Sequence, residues 1–178
     1  PGNPQEGYSP SPQERQSWLQ ISYMKEAYHT MGPKFTLGWM AEALYSSKNF
    51  SENYTATMMQ AGEFAPTPHS KLMYNEAFRA NQYVAAGIKP IYVLNDMFQF
   101  RTEFYGFTPI FPIKKNALNK AYYGKAFSRF EYMGEVSVIC HLPFGAISAY
   151  VNHYSSPRRE WNVGMTIGWQ LFNYRFVE

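Results

Sequence analysis

The 178-residue sequence has no long apolar run, and this absence argues against a membrane-spanning α-helix. Such a helix needs about 20 consecutive, predominantly apolar residues. The mean hydropathy of the whole chain is negative, at −0.41. Any membrane-embedded segments would therefore have to be strands rather than helices.

Cysteine and clustered charge are also scarce. Cys140 is the single cysteine, so no disulfide can form within the chain. The net charge of +3 comes from scattered residues, with only short basic pairs such as Lys114-Lys115 and Arg158-Arg159. This is not the footprint of a nucleic-acid-binding protein, and we expect no nucleic-acid partner. The four histidines lack metal-ligand spacing, so we expect neither a metal nor another cofactor.

Aromatic residues, by contrast, make up 19% of the chain, and they recur at alternate positions. In "MFQFRTEFYG", residues 97–106, the set Phe98, Phe100, Thr102 and Phe104 alternates with Gln99, Arg101, Glu103 and Tyr105. A strand points successive side chains to opposite faces, so this segment has one apolar and one charged face.

Similar alternation predicts about eight strands and no helix. The segments are residues 18–28, 34–45, 54–63, 81–94, 97–106, 127–142, 145–155 and 160–172. Residues 1–14, rich in Pro, Gly, Ser and Gln, are predicted to be a loop or linker, and residues 15–178 a single β-barrel segment. Because the chain starts without Met or an apolar leader, we expect it to lie inside a longer polypeptide.

The apolar faces end in Trp or Tyr in several segments, for example Trp39 and Tyr45, or Trp161 and Trp169. Aromatic girdles of this kind are typical of membrane interfaces. We therefore expect an all-β, transmembrane antiparallel barrel whose apolar faces contact lipid and whose charged faces line the lumen. A soluble β-sandwich also alternates and is the alternative fold.

Three stretches carry a resemblance to a known family: "APTPHSK" (65–71), "EAFRANQYVAAGIKPIY" (76–92) and "WNVGMTIGWQLFN" (161–173). They resemble the carboxy-terminal barrel of patatin-like phospholipases of Gram-negative outer membranes, a barrel of the bacterial surface antigen family. That barrel has sixteen strands, so the resemblance implies that this chain is its second half. It also implies an outer-membrane location and a role in lipid metabolism.

The resemblance implies one internal ion pair. In the family, an Arg in a long inward-folded loop pairs with an acidic residue on an inner strand face. Arg79 matches this Arg and Glu103 is the predicted partner, although Ala80 and Asn81 depart from the family's Gly and aromatic residues. Alternatively, Arg79 is a solvated loop residue and Glu103 pairs with Arg101.

Charged residues on the predicted inner faces suggest a lumen network that holds the strands in register. Its members are Arg101, Arg129, Glu131 and Glu135, with Glu42 and Glu103 on the same faces.

Catalytic residues are harder to find. Patatin-like enzymes use a Ser–Asp dyad with a Gly-x-Ser-x-Gly elbow, and this chain contains no such elbow. "NHYS" places His153 and Ser155 two residues apart, a spacing that resembles outer-membrane phospholipase A. A serine nucleophile needs a base and a group that orients the base. Because Asn162 is predicted to point inward, that orienting group is missing.

The main functional hypothesis is that this barrel anchors, or helps to export, an upstream lipid acyl hydrolase domain. Its partners would be outer-membrane lipid, the remaining half of the barrel and that hydrolase domain, and the assembly could be an oligomer. One alternative is an autonomous eight-stranded barrel with a binding or transport role. Another is a lipid hydrolase on the barrel face that uses His153 and Ser155.

Overall fold

The computed structural model describes residues 17–51, 53–155 and 161–169, and the fold is mostly β. The long strands are β1 (Gln20–Thr30), β2 (Phe35–Ser46), β5 (Gln82–Val93), β6 (Phe98–Pro109), β9 (Glu131–Leu142), β10 (Gly145–Tyr154) and β11 (Trp161–Trp169). The shorter elements are α1 (Tyr54–Gln60), β3 (Gly62–Glu63), two 3₁₀ turns (Ser70–Leu72 and Glu76–Phe78), β4 (Arg79–Ala80), β7 (Ile113–Lys115) and β8 (Ala121–Tyr123).

The seven long strands form one antiparallel sheet in the order β1-β2-β5-β6-β9-β10-β11. Seven of the eight predicted strand segments are thereby confirmed as strands of this sheet. Within the described part of the chain, β1 and β11 are its two edges, and no pairing joins them into a closed barrel. The predicted amino-terminal loop, residues 1–14, lies outside the described residues.

The eighth predicted strand, residues 54–63, is wrong, because most of it is the helix α1. The side chain of Asn53 caps this helix by accepting a hydrogen bond from the Ala56 amide at 2.8 Å. Asn is among the best N-cap residues, and Ala and Met that follow are good helix formers. Thr57 and Met58 are the buried residues of the helix. The apolar residues of this segment therefore reflect one buried helix face and not the two faces of a strand.

The two residue sets predicted for residues 97–106 lie on opposite faces of β6, but the apolar face is the exposed one. Phe104 is 53% exposed, whereas Glu103 is 2% exposed. We call the face that carries Glu103 and Tyr105 the inner face, and the face that carries Phe100 and Phe104 the outer face. The sheet therefore buries its charged face and exposes its apolar face.

Strand register extends this outer face across the sheet. Phe104 lies opposite Ile88 of β5, while Val136 of β9 lies opposite Val151 of β10. Val151 in turn lies opposite Val163 of β11. The exposed large side chains of this face include Ile21, Tyr23, Tyr45, Val84, Ile88, Tyr92, Phe98, Phe100, Phe104, Tyr132, Val136, Val138, Val151, Trp161, Val163, Met165 and Ile167.

The inner face is covered by residues 47–81, which connect β2 to β5 and which we call the inward segment. Its Phe64 and Phe78 rings pack against Phe107 of β6, with ring centroids 5.9 and 5.6 Å apart. These rings belong to one buried core of Met40, Leu44, Phe64, Met73, Ala77, Phe78, Ala80, Tyr83, Ala85, Tyr105, Phe107, Met133 and Tyr154. The core of the described chain thus lies between the sheet and its own connecting segment.

Gly87 of β5 lets a tyrosine ring cross the inner face. A Cβ atom at this position would lie 2.1 Å from Cδ1 of Tyr105 and 2.7 Å from the Phe104 carbonyl oxygen. Neither distance is compatible with a side chain, so Gly87 is required for the Tyr105 ring to lie against the backbone of β5.

Short and long connections alternate between the two ends of the sheet. β1–β2, β5–β6 and β9–β10 are joined by tight turns, whereas residues 47–81 and 110–130 form long connections. The predicted turn at Asn95-Asp96 is confirmed, and the Asn95 side chain accepts from the Phe98 amide at 2.8 Å. The second long connection contains the β7–β8 hairpin, which strand alternation did not predict. Among the described residues, no helix is both long enough and apolar enough to cross a membrane.

Candidate functional site

Arg79 anchors the inward segment from within. One guanidinium nitrogen is bonded to the Glu63 carboxylate, so the two short strands β3 and β4 are linked by side chains as well as by backbone. The other donates to the Met59 carbonyl oxygen at 3.1 Å, with the Met58 and Ala61 carbonyls at 3.4 Å. These carbonyls surround the carboxyl end of α1, where a cation is stabilised by the helix dipole.

The predicted Arg79–Glu103 pair is corrected by this geometry. Glu103 instead accepts from the Tyr105 hydroxyl and lies at ion-pair distance from Arg101, the neighbour named in the alternative. Arg79 is nevertheless not a solvated loop residue, because its side chain is only 12% exposed. Arg79 pairs with Glu63 rather than Glu103 because Glu63 lies directly opposite it on the neighbouring short strand β3, whereas Glu103 lies on the large sheet.

The inward segment also contains a hydroxyl–carboxylate contact. The Tyr54 hydroxyl, at the start of α1, donates to the Glu76 carboxylate in the second 3₁₀ turn. Burial, together with the neighbouring Glu76 carboxylate, raises the pKa of the Tyr54 phenol above its ordinary value. Burial likewise raises the pKa of the Glu63 carboxyl, and the Arg79 guanidinium opposes this effect. The Tyr54–Glu76 hydrogen bond and the Arg79–Glu63 ion pair each join parts of the inward segment that are distant in sequence.

The charged residues predicted to form one network lie in two separate groups. In the first, Arg129 bonds Glu131 at 2.7 Å and donates to the Ala77 carbonyl oxygen at 2.9 Å. This group ties the first residue of β9 to the inward segment.

The second group lies deeper on the inner face. Glu103 of β6 is directly opposite Glu135 of β9, and Arg101 pairs with Glu103. Two carboxylates in opposed positions repel each other. Arg101 supplies the nearby positive charge, and Asn152 donates to Glu135 at 3.4 Å. Glu42, predicted for the same face, accepts from the Tyr83 hydroxyl at 2.6 Å.

His69 brings the tip of the inward segment to this second group. A turn formed by reciprocal Thr67 and Ser70 hydrogen bonds presents the imidazole to the sheet. Its Nδ1 atom is 3.0 Å from the Tyr154 hydroxyl and 2.9 Å from the Asn152 amide nitrogen. The arrangement docks the segment on the sheet. Among the described residues, no group of three or more His, Cys, Asp or Glu side chains is placed to hold a metal ion.

Sequence reasoning missed one inner-face pair, between Lys89 of β5 and Glu26 of β1. Lys89 is 5% exposed, and its ammonium group reaches the Glu26 carboxylate across β2. On β2, Gly38 lies directly opposite Lys89, and the Tyr28 ring packs over it, since a Cβ there would be 2.6 Å from Tyr28 Cε1. The signal in the sequence is a lysine at an inner position of β5, one strand away from a glycine.

His153 and Ser155 do not form a catalytic pair. The Ser155 hydroxyl donates to Glu131 and accepts from the Tyr132 amide at 3.0 Å. The His153 ring lies on the outer face between Tyr132 and Trp161, with ring centroids 5.8 and 4.7 Å away. The described contacts include no hydrogen bond between His153 and Ser155.

The orienting residue is also absent from the outer face. Asn162 lies opposite Asn152, which is 2% exposed on the inner face, as its predicted inward direction requires. Asn162 therefore does not reach His153, and the described contacts of His153 are ring contacts with Tyr132 and Trp161 rather than a hydrogen bond that would orient a base.

Comparison with known proteins gives no assignment. No protein-family model matches the chain, and neither curated proteins nor solved structures contain a significant match.

Proposed function

We propose that this chain forms part of the wall of an outer-membrane β-barrel that anchors, or helps to export, an upstream lipid acyl hydrolase domain. The outer face contacts membrane lipid, and the inner face with its docked segment lines the lumen. The remaining strands of a sixteen-stranded barrel continue the sheet. The chain itself supplies the anchor and not the catalytic serine.

The inverted polarity of the sheet is the observation that carries this proposal. Seven strands expose a continuous apolar face, while Glu103, Glu135 and Lys89 are buried on the other. Soluble monomers rarely expose apolar patches above roughly 300–600 Å². A lipid-facing barrel wall requires this arrangement, because its lumen rather than its exterior holds the polar groups.

The dimensions of the sheet support the same proposal. The long strands contain 9 to 12 residues, and a tilted membrane-spanning strand needs about 9–11. Tight turns at one end and long connections at the other are also the usual pattern of outer-membrane barrels.

The open edges favour a larger barrel over an autonomous one. An unpaired strand edge is costly in lipid, so β1 and β11 each need a further strand. An autonomous barrel would instead pair β1 with β11, which the described sheet does not do. A soluble β-sandwich would need a second layer on the outer face, where the side chains are exposed.

The hydrolase part of the proposal depends on the resemblance of residues 65–71, 76–92 and 161–173 to patatin-like phospholipases. It is tested by fractionating the source cells and sequencing the native polypeptide upstream of Pro1. We expect the polypeptide in urea-washed outer membranes, with a Gly-x-Ser-x-Gly segment in its upstream sequence. Recovery in the soluble fraction would refute the membrane role, whereas a membrane-bound polypeptide without that segment would refute the hydrolase role alone.

A further inference from the structure

The outer face is not uniform, because a groove of about 310 Å³ opens on it between β6, β9 and β10. The groove begins at Gly134, where β9 has no side chain. Val136 and Val151 line the part of the groove that lies nearer the middle of the sheet. Phe104 lies over Gly134, since a Cβ there would be 3.2 Å from the Phe104 ring. The volume is at the lower end of the ~300–1,000 Å³ that is typical of small-molecule sites.

Aromatic rings border one end of the groove, and aliphatic side chains line the other. Tyr132, His153 and Trp161 border the groove at the end of the sheet where the long connections lie. Each of these rings carries an O–H or N–H group beside a large apolar surface. From Tyr132 to Val136 the groove follows β9 for about 13 Å towards the middle of the sheet.

We infer that this groove is a binding site for one acyl chain of a membrane phospholipid. The chain lies over Gly134, Val136 and Val151, and the glycerol and headgroup region meets the Tyr132, His153 and Trp161 rings. This inference rests on the proposed membrane location. It assigns the groove a role distinct from anchoring, namely retention of a particular lipid at one position of the wall.

The chemistry of the lining selects an acyl chain over a peptide. An extended peptide would place backbone N–H and C=O groups against valine and phenylalanine side chains, and leaving such groups unpaired is destabilising. A hydrocarbon chain has no such groups. Tyr, His and Trp rings at a single end suit an amphiphile, because such rings are typical of the level at which lipid headgroups begin.

The test is photolabelling of the native polypeptide in bilayer nanodiscs that contain a phospholipid with a diazirine in the middle of one acyl chain. Adducts are mapped by tandem mass spectrometry. We expect at least fivefold more label on Phe104, Val136 and Val151 than on Phe100 and Met165, which share the outer face but do not line the groove. Labelling equal at all five positions would contradict the inference and leave the membrane proposal intact.

Variants make the test specific. Val136→Phe fills the groove and should lower the label on Phe104 at least fivefold. Val151→Phe fills it from β10 and should act alike. The matched control is Val138→Phe, one outward position further along β9, which should leave that label within twofold. Equal effects of the control and the groove variants would refute the inference. Failure of the wild-type polypeptide to enter the bilayer would refute the proposed function together with it.

Discussion

A charge placed in the middle of the outer face tests the environment of that face. Val136 lies midway along β9 and is 51% exposed. If its surroundings are lipid, Val136→Arg should destabilise the folded barrel by about 2–4 kcal/mol, because a cation at the bilayer midplane is poorly solvated. At 1.4 kcal/mol per tenfold change, the folding equilibrium constant should fall roughly 30- to 700-fold. In water, a half-exposed Val→Arg change costs about 0.5 kcal/mol or less.

The assay is reversible urea unfolding of the native polypeptide in phospholipid vesicles, followed by tryptophan fluorescence. Leu94→Arg is the matched control, since Leu94 is 44% exposed at the tight turn between β5 and β6. At an interface the same change should cost about 0–1 kcal/mol. A loss of about 0.5 kcal/mol or less in Val136→Arg, equal to that of the control, would show that the outer face is not in lipid.

Three further changes test the contacts of the inner face and the role of Ser155. Arg79→Met should destabilise docking of the inward segment by about 1–3 kcal/mol, because the partly buried Glu63 carboxylate, 31% exposed, loses its ion-pair partner. Limited proteolysis within residues 47–81 should accelerate, and unchanged cleavage would contradict the anchoring role. Gly87→Ala should destabilise the fold by about 1–3 kcal/mol through overpacking, whereas Gly168→Ala, whose added Cβ would meet nothing closer than 3.8 Å, should leave the urea midpoint unchanged; equal midpoints would refute the close approach at Gly87. Ser155→Ala should retain any esterase activity of the parent polypeptide. Loss of that activity with the fold preserved would support the alternative hypothesis of a lipid hydrolase on the barrel face.

Alternation predicted the sheet because each strand has two different environments. On β6 the side-chain period of two separates Phe104 from Glu103, and the same period recurs on β9 and β11. The direction of the faces was also predictable, since the tryptophans and tyrosines at the ends of the apolar faces indicate an interface rather than a core.

The errors lie in the inward segment, where the sheet period does not apply. The sequence "YTATMMQ" shows some alternation of polar and apolar residues, which led to the prediction of a strand. The signal that identifies a helix instead is Asn53, which caps its amino terminus. Once α1 is a helix, Glu63 comes beside Arg79 and replaces Glu103 as its partner. The contacts of His69 depend on how this segment folds back on β10, which no local pattern specifies.

Contact of the outer face with lipid is tested most directly by probing the environment of a single residue on that face. Phe100→Cys, in a Cys140→Ser background, is labelled with an environment-sensitive fluorophore in the folded native polypeptide in vesicles. If the outer face lies in lipid, we expect strong quenching by brominated lipid acyl chains and little quenching by aqueous iodide. Strong iodide quenching without an effect of brominated lipid would place the apolar face in water and refute the proposed barrel wall.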